Sequence, residues 1–159
     1  MAHVSSFLTI ERLKQLGFDL HLDADGLFTV TPVDRLTPDL VRLVKLYRTD
    51  LAAELLMHDP KPIPWDIAVA EALARRTAEA FGRLEWSPAI IPWAQENAGA
   101  FWMRFLDAQE AVDTAFRAHD MQAVAVACRD WWQALRLLVA RHAAAEPTRF
   151  LAKEELTRV

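Results

Sequence analysis

Leu8, Ile10, Leu13 and Leu16 supply the apolar side of a helix expected over 7–16, with Ser5 or Ser6 as its N-cap and Gly17 as the glycine that ends it. At Phe18 the period switches to two. In "FDLHLDA", Phe18, Leu20 and Leu22 alternate with Asp19, His21 and Asp23, the pattern of a half-buried strand. The alternation resumes in "LFTVTP" after Asp25-Gly26, a dipeptide suited to the positive φ of a tight hairpin turn. An isolated hairpin is marginal in water, so flanking helices must cover its apolar face. Thr37-Pro38-Asp39 then combines a capping hydroxyl, a proline at the first helical position and a carboxylate at the positive helix end. Leu40, Leu43, Val44 and Tyr47 form an apolar stripe behind it. Thr49-Asp50 caps a further short helix, or a single helix runs over 38–57.

The segment "HDPKPIPW" places three prolines in eight residues and reads as a semi-rigid linker over 58–64. It divides a small αββαα unit, 1–57, from a helical part, 65–159. That part opens with the strongly helical "WDIAVAEALARRTAEAFGRL" and is interrupted at "SPAIIPW" by Pro88 and Pro92. A helix over 93–119 follows, Asp120 caps a last long helix over 121–144, and the two form an antiparallel αα-hairpin. Phe101, Trp102, Phe105, Leu106, Ala108, Val112 and Phe116 should meet Val124, Val126, Cys128, Trp131, Leu135, Leu138 and Val139. The tail "PTRFLAKEELTRV" fits one short helix. The fold class is α+β, mostly α.

Composition narrows the class of function. With 53% apolar and 25% charged residues in 159, and only four glycines, the chain can bury a core. Net charge is −4, and 1–57 carries 6 Lys/Arg against 8 Asp/Glu, so neither part is a basic domain of the kind that neutralises phosphates. The lone Cys128, within "AVAVACRDWW", suits a small buried hydrophobe and excludes an intrachain disulfide. The first residues lack the charged start and long apolar core of a secretory signal, and no run approaches the ~20 apolar residues that span a bilayer. These features lead to the expectation of a cytoplasmic protein without a membrane partner.

The stretch "LTIERLKQLGFDLHLDADGLFTVTPVDRLTPDLVRLVKLYRTDLAAELL" resembles the TubC-type N-terminal docking domains of nonribosomal peptide synthetases. The likeness rests on the leucine-spaced helix, Gly17, the hairpin around "DADGL", and "LTPDL" opening paired helices, and it covers about 7–57, a third of the chain. The resemblance implies an αββαα fold that dimerises and captures a partner's peptide segment on the hairpin. Carried onto this sequence, the docking strand is Leu27, Phe28, Thr29, Val30 and Thr31, offering its backbone edge, with Phe28, Val30 and Arg35 contributing side chains. The layout, with a helical part after the module, looks like modules attached to short proteins of plasmids and other mobile elements. Residues 65–159 resemble no family.

Candidate chemistry is sparse. "DADG" offers alternating oxygens, but the fifth and sixth positions counted from Asp23 are Leu27 and Phe28, where a calcium loop needs an oxygen and a glycine, so a hairpin turn is the better reading. His3, His21, His58, His119 and His142 share no zinc-binding spacing, although His119 and His142 could approach each other across the αα-hairpin. Ser5, Ser6 and Ser87 lie in cap or loop settings without a nucleophile elbow. No residue asks to be catalytic, and no metal or cofactor is implied.

All six tryptophans lie from Trp65 onward. Trp86, Ile90, Ile91 and Trp93 cluster at the proline-broken turn, where plugging the end of a bundle is favoured over forming a binding patch. Trp131 and Trp132 point about 100° apart on a helix, so one of them borders a groove. With Trp93 and Arg129 they form the interface expected in the helical part. Arg75, Arg76 and Arg83 make a modest cationic face, better read as solvated. The combined expectation is a non-enzymatic docking protein, a homodimer paired through its hairpins or second helices. The runners-up are a phage- or plasmid-encoded inhibitor of a host nucleic-acid complex, anti-CRISPR-like, and a nucleic-acid-associated factor using the arginine face.

Overall fold

A computed structural model of the chain describes residues 8–83 and 87–157, with side chains as far as residue 145. Helix α1 (Ile10–Gln15) starts at Thr9, whose hydroxyl accepts from the Arg12 amide at 3.1 Å. This corrects the expected start at 7 by three residues; Ser5 and Ser6 lie outside the described residues. Gly17 ends the helix with φ 89°, a conformation that L side chains avoid, and an added Cβ there would also meet the Arg35 guanidinium at 3.3 Å.

Strands β1 (Asp19–Leu22) and β2 (Phe28–Thr31) pair antiparallel with Leu20 opposite Val30 and Leu22 opposite Phe28. Their inward residues Phe18, Leu20, Leu22 and Val30 are buried, as the period-two pattern requires. The turn takes three residues. Gly26 N–H donates to Asp23 O at 3.0 Å, Asp23 N–H to Leu27 O at 3.0 Å, and Gly26 alone carries the positive φ, 82°. Leu27 therefore closes the turn and is not the first residue of β2.

A 3-10 turn (Val33–Arg35) leads to α2 (Pro38–Leu46), capped by the Thr37 hydroxyl on the Leu40 amide at 3.2 Å. Helix α3 (Arg48–His58) follows after a single joint residue, Tyr47. The chain thus takes neither the Asp50 start nor the continuous helix. Beyond the prolines come α4 (Ile67–Phe81), α5 (Ile90–Asn97), α6 (Gly99–Arg117) and α7 (Met121–Thr157). The helix expected over 93–119 is two helices, broken at Ala98 (φ −141°, ψ 45°). The break folds Ile90, Ala94 and Ala98 back onto Leu135 and Leu138, an apolar gain that outweighs one lost helical turn. Pro92 lies inside α5 at its third residue, where an N–H has no intrahelical acceptor to miss. Helix α7 likewise runs on past the expected end at 144 and takes in the tail.

The described chain is α+β and mostly α: seven α-helices and one two-stranded antiparallel sheet. Three apolar clusters hold it. One joins α1, the hairpin and Leu51. A second joins Leu22 and Ala52, Ala53 and Leu56 of α3 to α4, α6 and α7. The third closes the far end of the bundle among α5, α6 and α7. Helix α3 serves the first two from opposite sides, so the N-terminal unit and the helical part share one continuous core. Trp65 seals the seam, stacked on His119 at 4.7 Å and edge-on to Phe116 at 5.9 Å. Among the described residues no helix is long and apolar enough to cross a membrane.

Candidate docking surface

The hairpin register decides which backbone groups face outward. Narrow, hydrogen-bonded pairs alternate with wide ones in an antiparallel ladder. The Asp23 N–H bond to Leu27 O fixes the phase, so His21–Thr29 and Asp19–Thr31 exchange backbone bonds. The N–H and C=O groups of Leu20 and Leu22 on β1, and of Phe28 and Val30 on β2, point away from the ladder. The β1 side is covered: Lys61 Nζ donates to Leu22 O at 3.4 Å, and α1 and α3 pack along that strand. No hydrogen bond joins the outward groups of Phe28 and Val30 to another described residue.

The expected side-chain roles divide differently. Val30 is buried, and Phe28 is half-buried against the first two clusters, so both offer their backbone and not their side chains. Thr29 and Thr31 face solvent. Arg35 is exposed and lies over the Gly17 turn, where its cation meets the carbonyl end of α1. Leu27, 54% exposed, borders a recess with Trp65, Ile63 and Pro64 of the linker.

Helix α2, which follows the 3-10 turn after β2, contains no buried residue. Leu40, Val44 and Tyr47 lean on the first cluster, whereas Leu43, expected on the same stripe, is 40% exposed and Leu46 is 71% exposed. Sequence periodicity identified the amphipathic face but could not show that half of it lacks a cover.

The aspartate-rich turn is spent on its own backbone. Asp23 Oδ1 accepts from the Asp25 and Leu27 amides, both at 2.9 Å, an arrangement that a metal ligand would have to give up. Among the described residues no group of three or more His, Cys, Asp or Glu side chains converges. Cys128 is fully buried, and burial, partly offset by the neighbouring Thr77 side chain, pushes its thiol up to about 11.

The tryptophan and arginine residues expected to form one interface are not brought together. Trp131 turns inward, edge-on to Phe81 at 4.4 Å, and its buried Nε1 has no hydrogen-bond partner among the described residues. Trp132 turns outward, half-buried, with the Arg136 guanidinium 6.0 Å from its ring centroid. The 100° separation on the helix thus places one in the core and one at the surface, as the spacing predicts. Trp93 is at the far end of the bundle against His142, and Arg129 is exposed. Val126 and Leu106, expected in the αα seam, are exposed instead, because Ala127 and Ala108 occupy the buried positions beside them. Trp86 lies outside the described residues. Arg75 pairs with Asp50 and Glu79, and Arg76 with Glu54 at 3.4 Å, so two of the three arginines on that face are engaged by carboxylates. Glu54 also accepts from the Ile10 amide at 3.5 Å, which ties α1, α3 and α4 at one carboxylate.

No family model, curated protein or solved structure matches this chain.

Proposed function

We propose that this is a non-enzymatic docking protein, a cytoplasmic homodimer of the kind carried by mobile elements, whose hairpin captures an extended segment of a partner protein by strand addition at β2. The observation that carries the reading is the outward-facing backbone of Phe28 and Val30, a row of donors and acceptors with no bond to another described residue. Such an edge supplies affinity through main-chain bonds, while the exposed Thr29 and Thr31 are placed to supply specificity. The resemblance of 7–57 to TubC-type docking domains supports the same assignment. The carboxylate pairing of Arg75 and Arg76 counts against an arginine face that binds nucleic acid.

The test is a photo-crosslinking amino acid at Thr29 in the full-length chain, expressed in its native host, with the linked peptide identified by mass spectrometry. Recombinant partner segment is then added to the wild-type protein and amide exchange is followed. Strand addition slows exchange at Phe28 and Val30 and leaves the already bonded Thr29 and Thr31 amides nearly unchanged. The variant Val30→Pro removes an outward donor without breaking the β1–β2 ladder, and should abolish capture while the tryptophan fluorescence stays native. A folded Val30→Pro protein that still captures the segment, or protection confined to other residues, rules out the edge.

A further inference from the structure

The outer face of the αα-hairpin is divided by charge along its length. Toward the α6–α7 turn, Asp107, Glu110, Asp120 and Asp130 border a groove of about 500 Å³ floored by alanines and Val126. Toward the opposite end the same seam is bordered by Arg104 and Arg136, around Gln133, Leu137 and Ala140. Val126, Asp130, Gln133, Leu137 and Ala140 recur at spacings of three and four, so the two stretches are one continuous face of α7. Large apolar side chains stand out along it: Val126 is 42% exposed and Leu137 38%. Helices α3, α4 and α5 pack on other sides of α7, and among the described residues nothing covers this one.

We infer that a second copy of this chain covers it, packed antiparallel about a two-fold axis that crosses the seam near Asp107 and Gln133. An isologous contact must be self-complementary, and a face with carboxylates toward one end and arginines toward the other meets that condition when reversed against itself, the gain from those pairs being set against Asp107 facing its own copy at the axis. About this axis Arg104 of each copy opposes Glu110 of the other, and Arg136 opposes Asp130. Val126, large and apolar, meets the small Ala140. The 19-residue α6 gives the face a length of about 28 Å. That length accommodates two antiparallel helix pairs at ordinary packing distances. The inference specifies the homodimer named above and is independent of docking at β2, whose edge stays open in it.

Sedimentation equilibrium of the full-length protein tests it. The wild type should dimerise, and rising salt should weaken the dimer by screening the four opposed pairs. Arg104→Glu and Glu110→Arg should each raise the dimer Kd by about tenfold or more, because each places like charges face to face. The double variant carrying both changes should regain the wild-type Kd, and an equimolar mixture of the two single variants should form heterodimers. Both side chains are exposed, so helix content serves as a control that is expected to stay constant. A wild type that remains monomeric at about 100 µM overturns the inference and the homodimer, and leaves docking untouched. A dimer indifferent to both reversals overturns the αα face alone; if Leu46→Glu then breaks that dimer, α2 is the interface.

Discussion

Cys128 is held between α4 and α7 with the Thr77 hydroxyl as its polar neighbour, and Thr77 itself is satisfied by donating to Leu73 O at 2.8 Å. Burial raises the folded thiol from its ordinary 9.0 to about 11, so the native protein holds a proton that the unfolded chain releases. The folded state binds more protons only between these values, so its stability is full below pH 9 and drains as pH rises toward 11. The loss amounts to roughly 2 to 3 kcal/mol. Urea unfolding across this window, compared between wild type and Cys128→Ala, isolates the contribution, since the two proteins differ only at this side chain. The variant should show the shallower decline. The same burial keeps the thiol unreactive toward alkylating reagents until the protein unfolds.

Thr37 illustrates what a helix end contributes on its own. Its hydroxyl satisfies the Leu40 amide of a helix that buries no residue completely, so little packing compensates if the cap is removed. Thr37→Ala should cost about 1 kcal/mol, read as a drop of about 2 to 4 °C in melting temperature, with the fastest exchange gained at the first turn of α2. Signals of this local kind were legible in the sequence: Gly17, Gly26 and the Thr37-Pro38 start need no distant partner to take effect. The αββαα order and the αα-hairpin followed from them and from periodicity. The break at Ala98 was not legible, because alanine favours helix and only the distant Leu135 and Leu138 make the fold-back favourable. Exposure was hidden for the same reason. Leu43, Leu46 and Val126 look like core residues by spacing, and only the placement of neighbouring elements leaves them facing solvent. At the candidate site, the β2 strand and its turn were readable, whereas the outward phase of Phe28 and Val30 depended on the three-residue turn that sets the register.

The whole molecule is bound together by α3, which gives Leu51 to the hairpin cluster and Ala52, Ala53 and Leu56 to the bundle cluster. The proline segment separates the two in sequence but lies against both, with Ile63 and Trp65 packed on the bundle cluster. Unfolding should therefore be one cooperative transition, with tryptophan fluorescence and far-ultraviolet circular dichroism giving coincident curves. A fragment of 58–159 should lack a cooperative melt, since it loses Leu22, Ala52, Ala53 and Leu56, four buried side chains of the cluster that α4 and α7 complete. Two resolved transitions, or a stable fragment, would show that the cores are separable. One-body unfolding also carries a thermodynamic linkage. Anything that binds only the native hairpin draws its stabilisation from the shared unfolding equilibrium, about 2.7 kcal/mol at a hundredfold excess over Kd. Trp93 and Trp131, half-buried against the cluster at the far end of the bundle, would then report by their delayed melting on a peptide they never touch.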